Sequence, residues 1–288
     1  MNKELFKIIL VSGNDRHIFL QGQLTQDIEK LTSGELLFAA ICNPKGRVYA
    51  TCQLFKTNNK IGIITPSSMT KLVIQRLQNF IFRSDIQLER IEDICSICIN
   101  CDDKSNGLQE ELINTFEKNK NKSPSHFLIK QSLKKSHNIE IYSNQLTSKS
   151  LKPIENLMLN TSQWTEARMI ENIVDITIEN SEKYTPHMLN LDLMNGVCFK
   201  KGCYVGQEIV ARTEHIGSVK RRAVLYNLSS SKINNNEKLF IDESDSGAHI
   251  LSIVEDKMIA IINTAISNKK LTYENGQATP INQSNQPR

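Results

Sequence analysis

Cys203 is the residue with the clearest chemical potential in this sequence. It lies between Gly202 and Gly206, follows Lys200 and Lys201, and precedes Gln207 and Glu208. Glycine permits tight backbone and close approach of a ligand, and neighbouring lysines favour the thiolate, the reactive form of cysteine. Gln207 and Glu208 add an amide and a carboxylate for hydrogen bonding. A helix beginning near Gln207 would lower the thiol pKa further through its N-terminal dipole. The competing reading is a tight turn around an inert, buried thiol. His187, sixteen residues upstream, is a candidate base for Cys203, against the alternative of a core or surface histidine.

Three further constellations carry chemistry. Cys95, Cys98 and Cys101 form C-x2-C-x2-C, the opening of a ferredoxin-type ligand run. No fourth ligand follows, and the isoleucine-rich stretch around them reads as a strand in which free cysteines are small apolar side chains. No metal site is assigned there. Lys200, Lys201, Arg212, Lys220, Arg221 and Arg222 fall within 23 residues; such a run is a solvated face, a site for an anionic ligand tail, or a contact for RNA. Trp164, the single tryptophan, is followed by Arg168 and Glu171 on an expected helix.

The elements that must hold these groups are legible in part. Residues 5–11 read as a strand, and a helix with Ile18, Phe19, Leu24 and Ile28 on one face is expected to run to about Lys30. Residues 36–42 and 48–55 are strands flanking the turn Asn43-Pro44-Lys45-Gly46-Arg47, a hairpin. Residues 61–65 form another strand. After it, Ser67 and Ser68 begin a helix whose apolar stripe includes Met69, Val73 and Leu77. A short helix over 108–116, a lysine-rich loop over 118–125, strands at 127–129 and 139–142, and an exposed stretch at 143–153 follow. From Arg221 onward, short apolar runs at 223–228, 238–241, 249–254 and 258–264 alternate with polar clusters, the texture of a small β-barrel or sandwich.

The chain has 288 residues, 39% hydrophobic and 23% charged, which suits a globular protein of two or three domains. A net charge of +4 is too small to argue for nucleic acid alone. The N-terminus lacks a signal-peptide pattern, and no apolar run reaches the ~18 residues of a membrane span. With seven cysteines, an odd number, a cytoplasmic location with reduced thiols is expected.

The stretch Lys201-Gly202-Cys203-Tyr204-Val205-Gly206-Gln207-Glu208 resembles the signature of the YgfZ family. These are folate-binding proteins related to the T-protein, the aminomethyltransferase of the glycine cleavage system, and are linked to iron–sulfur cluster assembly or repair and to tRNA modification. The resemblance continues through Val210-Ala211-Arg212-Thr213, Gly217-Ser218-Val219-Lys220-Arg221-Arg222, Gln21-Gly22-Gln23-Leu24-Thr25-Gln26-Asp27 and Asn43-Pro44-Lys45-Gly46-Arg47, and covers most of residues 3–262. It implies an α+β, T-protein-like fold of three domains around a central folate site. Residues 1–220 would be the folate-binding region, two intertwined α+β subdomains; 221–274 a C-terminal small β-barrel; and 275–288 a disordered tail.

The same resemblance implies site residues. Phe6 and Trp164 match positions that stack on folate and are expected to hold a ring between them. Glu171 resembles a glutamate that binds the pterin, although the spacing here is Arg-x-x-Glu where the family has Arg-x-Glu. Arg168, Tyr204, Gln207, Glu208 and Arg212 join the expected folate contacts, with Cys203 and Lys201 as the reactive pair. The T-protein pattern carries aspartates just after the hairpin turn; here Tyr49, Ala50, Thr51 and Cys52 supply no carboxylate. The resemblance therefore implies a tetrahydrofolate-binding accessory factor for iron–sulfur enzymes, with Cys203 as nucleophile, transient cluster ligand or redox thiol. An aminomethyl transferase and a direct tRNA-binding protein using residues 200–222 are the alternatives.

Overall fold

A computed structural model describes residues 5–92, 94–101, 128–144 and 151–281. The expected helix at 108–116, the loop at 118–125, Phe127 and residues 145–150 lie outside the described residues. Three antiparallel sheets and four α-helices organise the rest.

The first sheet contains β1 (Phe6–Ser12), β2 (Leu37–Cys42), β3 (Val48–Thr57), β4 (Lys60–Pro66) and β5 (Gln87–Ile91), in the order β2-β3-β4-β1-β5. Side chains alternate across a strand, and β1 is apolar on both faces because both are covered. Ile9 and Val11 enter a core with Phe19 and Leu20 of α1 (Arg16–Gln23) and Met69 and Val73 of α2 (Ser67–Gln78). Ile8 and Leu10 face the other way, toward the second sheet.

That second sheet has β6 (Cys95–Asn100), β7 (Leu128–Leu133) and β8 (Asn138–Ser143), in the order β6-β8-β7. Tyr142 of β8 meets Phe6 and Ile8 of β1 and Trp164 of α3 (Thr161–Ile170) in one core. Helix α3 starts with a capping box: Asn160 accepts from the Gln163 backbone N–H, and the Gln163 side chain returns to the Asn160 backbone.

The third sheet follows α4 (Gln207–His215). Its strands are β9 (Arg221–Leu228), β10 (Phe240–Ile241), β11 (Ser244–Asp245), β12 (His249–Val254), β13 (Lys257–Asn263), β14 (Leu271–Tyr273) and β15 (Gly276–Pro280). The order is β11-β10-β14-β15-β9-β13-β12. Here too the strands are two-faced. Ala223 and Leu225, with Ile259 and Ile261, pack toward Ala40 and Val48 of the first sheet. Val224 and Tyr226, with Met258 and Ala260, form this sheet's own core.

Several expectations are corrected. The helix expected to reach Lys30 stops at Gln23: Leu24 is extended and bridges Ile41, and the Thr25 N–H donates to the Ala40 carbonyl, so pairing with β2 overrides helical spacing. A separate 3-10 turn, Ile28–Lys30, is capped by the Asp27 carboxylate. Strand β5 was not foreseen because Gln-Leu-Glu-Arg-Ile is mostly exposed at a sheet edge. The tail expected to be disordered from 275 contributes β15, paired with both β14 and β9. Among the described residues no helix is long and apolar enough to cross a membrane.

Candidate functional site

The turn before α4 presents Cys203 to solvent, the one exposed cysteine of the seven. Its surroundings are assembled from blocks far apart in sequence. Gly206 has φ +83°, and a Cβ there would lie 2.4 Å from the Asn43 carbonyl oxygen and 3.0 Å from the Gly46 Cα. The hairpin turn 43–47 and the start of α4 therefore touch backbone to backbone, glycine against glycine. Gly202 is different: a Cβ there would meet nothing within 4 Å.

Lys201 is buried, and its Nζ donates to the carbonyls of Gln21 (2.7 Å), Leu24 (2.7 Å) and Gln26 (2.9 Å). Burial pushes its pKa down to about 8, while Asp27 and Cys198 pull it back up. The expected pairing of Lys201 with Cys203 is therefore corrected: all three ammonium protons are engaged by backbone oxygens. Lys201 is a clasp between the cysteine turn and the 21–27 segment. The Val205 N–H donates to the Gly22 carbonyl, and the Cys198 N–H to that of Thr25, completing the seam.

Tyr204 is buried beneath the Lys201 ammonium, 5.1 Å from ring centre to Nζ, and burial pushes its phenol pKa up. Gln207 accepts from the Tyr204 N–H through Oε1 at 3.3 Å, so its side chain shapes the turn. Glu208 and Arg212 are exposed on α4.

A second region gathers around Arg168. This guanidinium lies inside the protein, with Nε and Nη2 donating to the two oxygens of Asp175 at 2.7 and 2.8 Å, Nη1 donating to Glu140, and Cζ 4.6 Å above the Phe6 ring. Trp164 Nε1 donates to the same Glu140 oxygen at 2.6 Å. Beside this network is a cavity of about 430 Å³, within the range of small-molecule sites. Its walls come from the first sheet (Phe6, Pro66), α3 and the segment after it (Arg168, Asp175), and the third sheet (Leu251, Ile259).

Two stacking expectations change here. Phe6 and Trp164 lie 5.4 Å apart, centre to centre, and 53° from parallel. They touch each other, so no ring fits between them. Phe6 lines the cavity, while Trp164, at 0% exposure, is not among its walls. Glu171 is also elsewhere: its carboxylate accepts from the backbone N–H groups of Lys135 and Ser136. Asp175, 27% exposed, is the carboxylate at the cavity wall. Sequence reading passed over Asp175 and Glu140. The available signal for Glu140 was strand periodicity, which puts it on the inward face with Tyr142. Neither Cys203 nor Tyr204, Gln207, Glu208 or Arg212 lines this cavity.

Other candidates resolve as follows. His187 is fully buried, stacks on Phe199 at 5.9 Å and pairs through Nε2 with Glu214 at 3.2 Å, which does not make it a base for Cys203. Its ligand atoms, with those of Asp192 and Glu214, lie within 4.8 Å of one another. Arg222 holds both Asp192 oxygens, at 3.0 and 2.8 Å. The expected basic face thus loses Lys201 and Arg222 to internal bonds. Cys95 and Cys98, three apart on one strand, belong to opposite faces and pack in separate cores.

No family model matches the sequence. Among characterised proteins, the chain is 29% identical over 224 residues to the tRNA-modifying protein YgfZ of Colwellia psychrerythraea, spanning 75% of this chain and 67% of that one. Against the protein of the same name from Photorhabdus laumondii it is 28% identical over 234 residues, covering 78% and 70%. For Escherichia coli O157:H7 the figures are 27% over 250 residues, covering 81% and 73%. Among solved structures, the glycine cleavage system aminomethyltransferase T of Bartonella henselae superposes with a TM-score of 0.70 at 13% identity, over 97% of this chain and 83% of that one. The chain is thus a relative of the YgfZ proteins, built on an aminomethyltransferase-like α+β fold.

Proposed function

We propose that this protein binds a reduced folate, tetrahydrofolate or a close derivative, beside Phe6 and Arg168 and acts as an accessory factor in tRNA modification. The observation that carries the reading is the cavity of about 430 Å³, apolar over most of its wall, with the Arg168–Asp175 pair at one side. A flat heteroaromatic ring with several N–H groups suits such a wall: Phe6 contributes an aromatic surface to it and the Asp175 carboxylate further acceptor lone pairs. The relatives' description as tRNA-modifying supports the role. In this reading residues 1–220 are the folate-binding region, and the strands from Arg221 form a small barrel-like unit closing a three-domain ring around the ligand. Iron–sulfur enzymes would be the clients, served by the exposed Cys203.

Aminomethyl transfer is the weaker reading. On β3 the Thr51 hydroxyl accepts from the Ile176 N–H and Cys52 is buried, so the strand after the hairpin offers no carboxylate. Direct tRNA contact would fall to Lys200, Arg212, Lys220 and Arg221, the members of the basic run whose side chains make no hydrogen bond or ion pair with a described residue.

Calorimetric titration of the full chain with tetrahydrofolate tests the reading. Wild-type protein should bind, and Phe6→Ala should weaken binding several-fold, since an aromatic contact contributes about 1 kcal/mol. Cys203→Ser should bind normally yet fail to restore iron–sulfur enzyme activity in cells lacking the protein. Absence of binding by wild-type protein removes the folate assignment.

A further inference from the structure

Helix α4 carries more than the turn that holds Cys203. Two of the six large apolar side chains that lie exposed among the described residues belong to it: Ile209, 39% exposed, and Ile216 at its C-terminal cap, 82% exposed. They are seven residues apart, which puts them on one face of the helix, about 10 Å apart along its axis. Arg212, also exposed, is three residues from one and four from the other, so it lies on the same face between them. The other side of the helix is occupied. Val210 enters the core that contains Val48 and Ala223, and Glu214 pairs with His187.

The hairpin turn extends this face. A Cβ on Gly46 would lie 2.9 Å from the Ile209 Cβ, so the turn rests directly against that side chain. Pro44 and Lys45 of the turn are exposed. The unpaired charge in these segments is mainly of one sign. Lys45 in the turn, Lys200 before the cysteine, Arg212 on the helix, and Lys220 and Arg221 after it make no side-chain hydrogen bond or ion pair with a described residue. On α4 the acid in that state is Glu208. Glu182, which reaches the turn, accepts from Asn43 Nδ2 at 2.9 Å, and Arg47 of the turn donates to the Lys183 carbonyl at 3.0 Å.

We propose that the outer face of α4 and the adjoining hairpin turn form the docking surface for a partner protein whose own contact patch is apolar at its centre and acidic around it. The proposal rests on the accessory-factor reading: that partner is the client, and the exposed Cys203, four residues before the helix begins, is presented to it. Charge and apolar exposure select the class of occupant. A second copy of the chain would meet the same patch across a two-fold axis and set cation against cation. An RNA strand would find cations but no side chain on which to stack a base, since neither α4 nor the turn carries Phe, Tyr or Trp. It would also leave both isoleucines unburied. An acidic protein surface satisfies the isoleucines and the cations together.

Complementation of cells lacking the protein, read as iron–sulfur enzyme activity, tests this with double variants of the full chain. Ile209→Asp with Ile216→Asp removes the apolar contacts, and Arg212→Glu with Lys220→Glu reverses the charge. Each should lower the restored activity by about tenfold or more, as loss of central interface contacts does. Thermal melts and calorimetric affinity for tetrahydrofolate should stay at wild-type values. Arg212→Lys with Lys220→Arg keeps the charges and should restore fully. Full restoration by either disruptive variant overturns the docking surface, as does a folate affinity that falls in step with activity. A loss of affinity for bulk tRNA that parallels the loss of activity assigns the face to RNA and overturns the proposal. A wild-type dimer that the isoleucine variant converts to monomer assigns it to a second copy, with the same result. Wild-type protein that restores nothing overturns the accessory-factor reading itself, and this proposal with it.

Discussion

Each candidate region of this protein is built on a buried cation, and the two cations are satisfied in different ways. Arg168 is matched by side chains: its planar fork holds both oxygens of Asp175 and one of Glu140, and it lies over the Phe6 ring. Lys201 is matched by backbone, through three carbonyls of the 21–27 segment. A guanidinium presents donors in a fixed plane, whereas an ammonium is a compact point charge with three donors. The first arrangement orders side chains at the wall of a cavity. The second locks two stretches of main chain together and leaves Cys203 projecting from the clasp. One region therefore borders a cavity, and the other holds a thiol at the surface.

The largest effect that would sharpen this contrast is at Arg168. Arg168→Leu leaves Glu140 buried without its cation and should destabilise the protein by about 3–5 kcal/mol, read from urea unfolding. A loss under 1 kcal/mol would show that the carboxylates are satisfied without it. Lys201→Met removes three donors and leaves three carbonyls unpaired in a tight seam; about 2–3 kcal/mol is expected. Hydrogen exchange should also quicken at the Val205 N–H, which bonds Gly22 across that seam. Unchanged exchange there would mean that Lys201 is not the clasp.

A smaller effect separates the two glycines that flank the cysteine. Gly206→Ala puts a Cβ into the Asn43 carbonyl at a positive φ, and should cost about 1–3 kcal/mol through strain. Gly202→Ala meets open space and should be neutral within about 0.5 kcal/mol. Equal losses in the two variants, measured by thermal melts, would contradict the backbone contact between the hairpin and α4.

Local pattern was enough for much of the first sheet. Short apolar runs rich in β-branched residues and the Asn43–Arg47 turn locate β1 to β4, and the stripe of Met69, Val73 and Leu77 locates α2. It failed where pairing overrode spacing, as at Leu24, and where a strand carries polar residues at an edge, as in β5. At the site, residue types near Cys203 correctly singled out an exposed thiol before a helix. They misassigned Lys201, because a lysine next to a cysteine in sequence can direct its long side chain to the opposite side of the turn.

What the amino-acid sequence determined alone is the set of blocks: the turn at 43–47, the segment at 21–27, the cysteine turn, and the aromatic and charged residues of α3. What each of them touches was decided by tertiary structure. Lys201 reaches carbonyls some 175–180 residues distant in the chain, Phe6 meets Trp164 directly, and Asp175 rather than Glu171 faces the cavity. Spacing along a chain constrains contacts within one strand or one turn of helix. Which carboxylate meets which cation is decided by how whole sheets pack, and that packing follows from apolar surface buried on both faces of each strand.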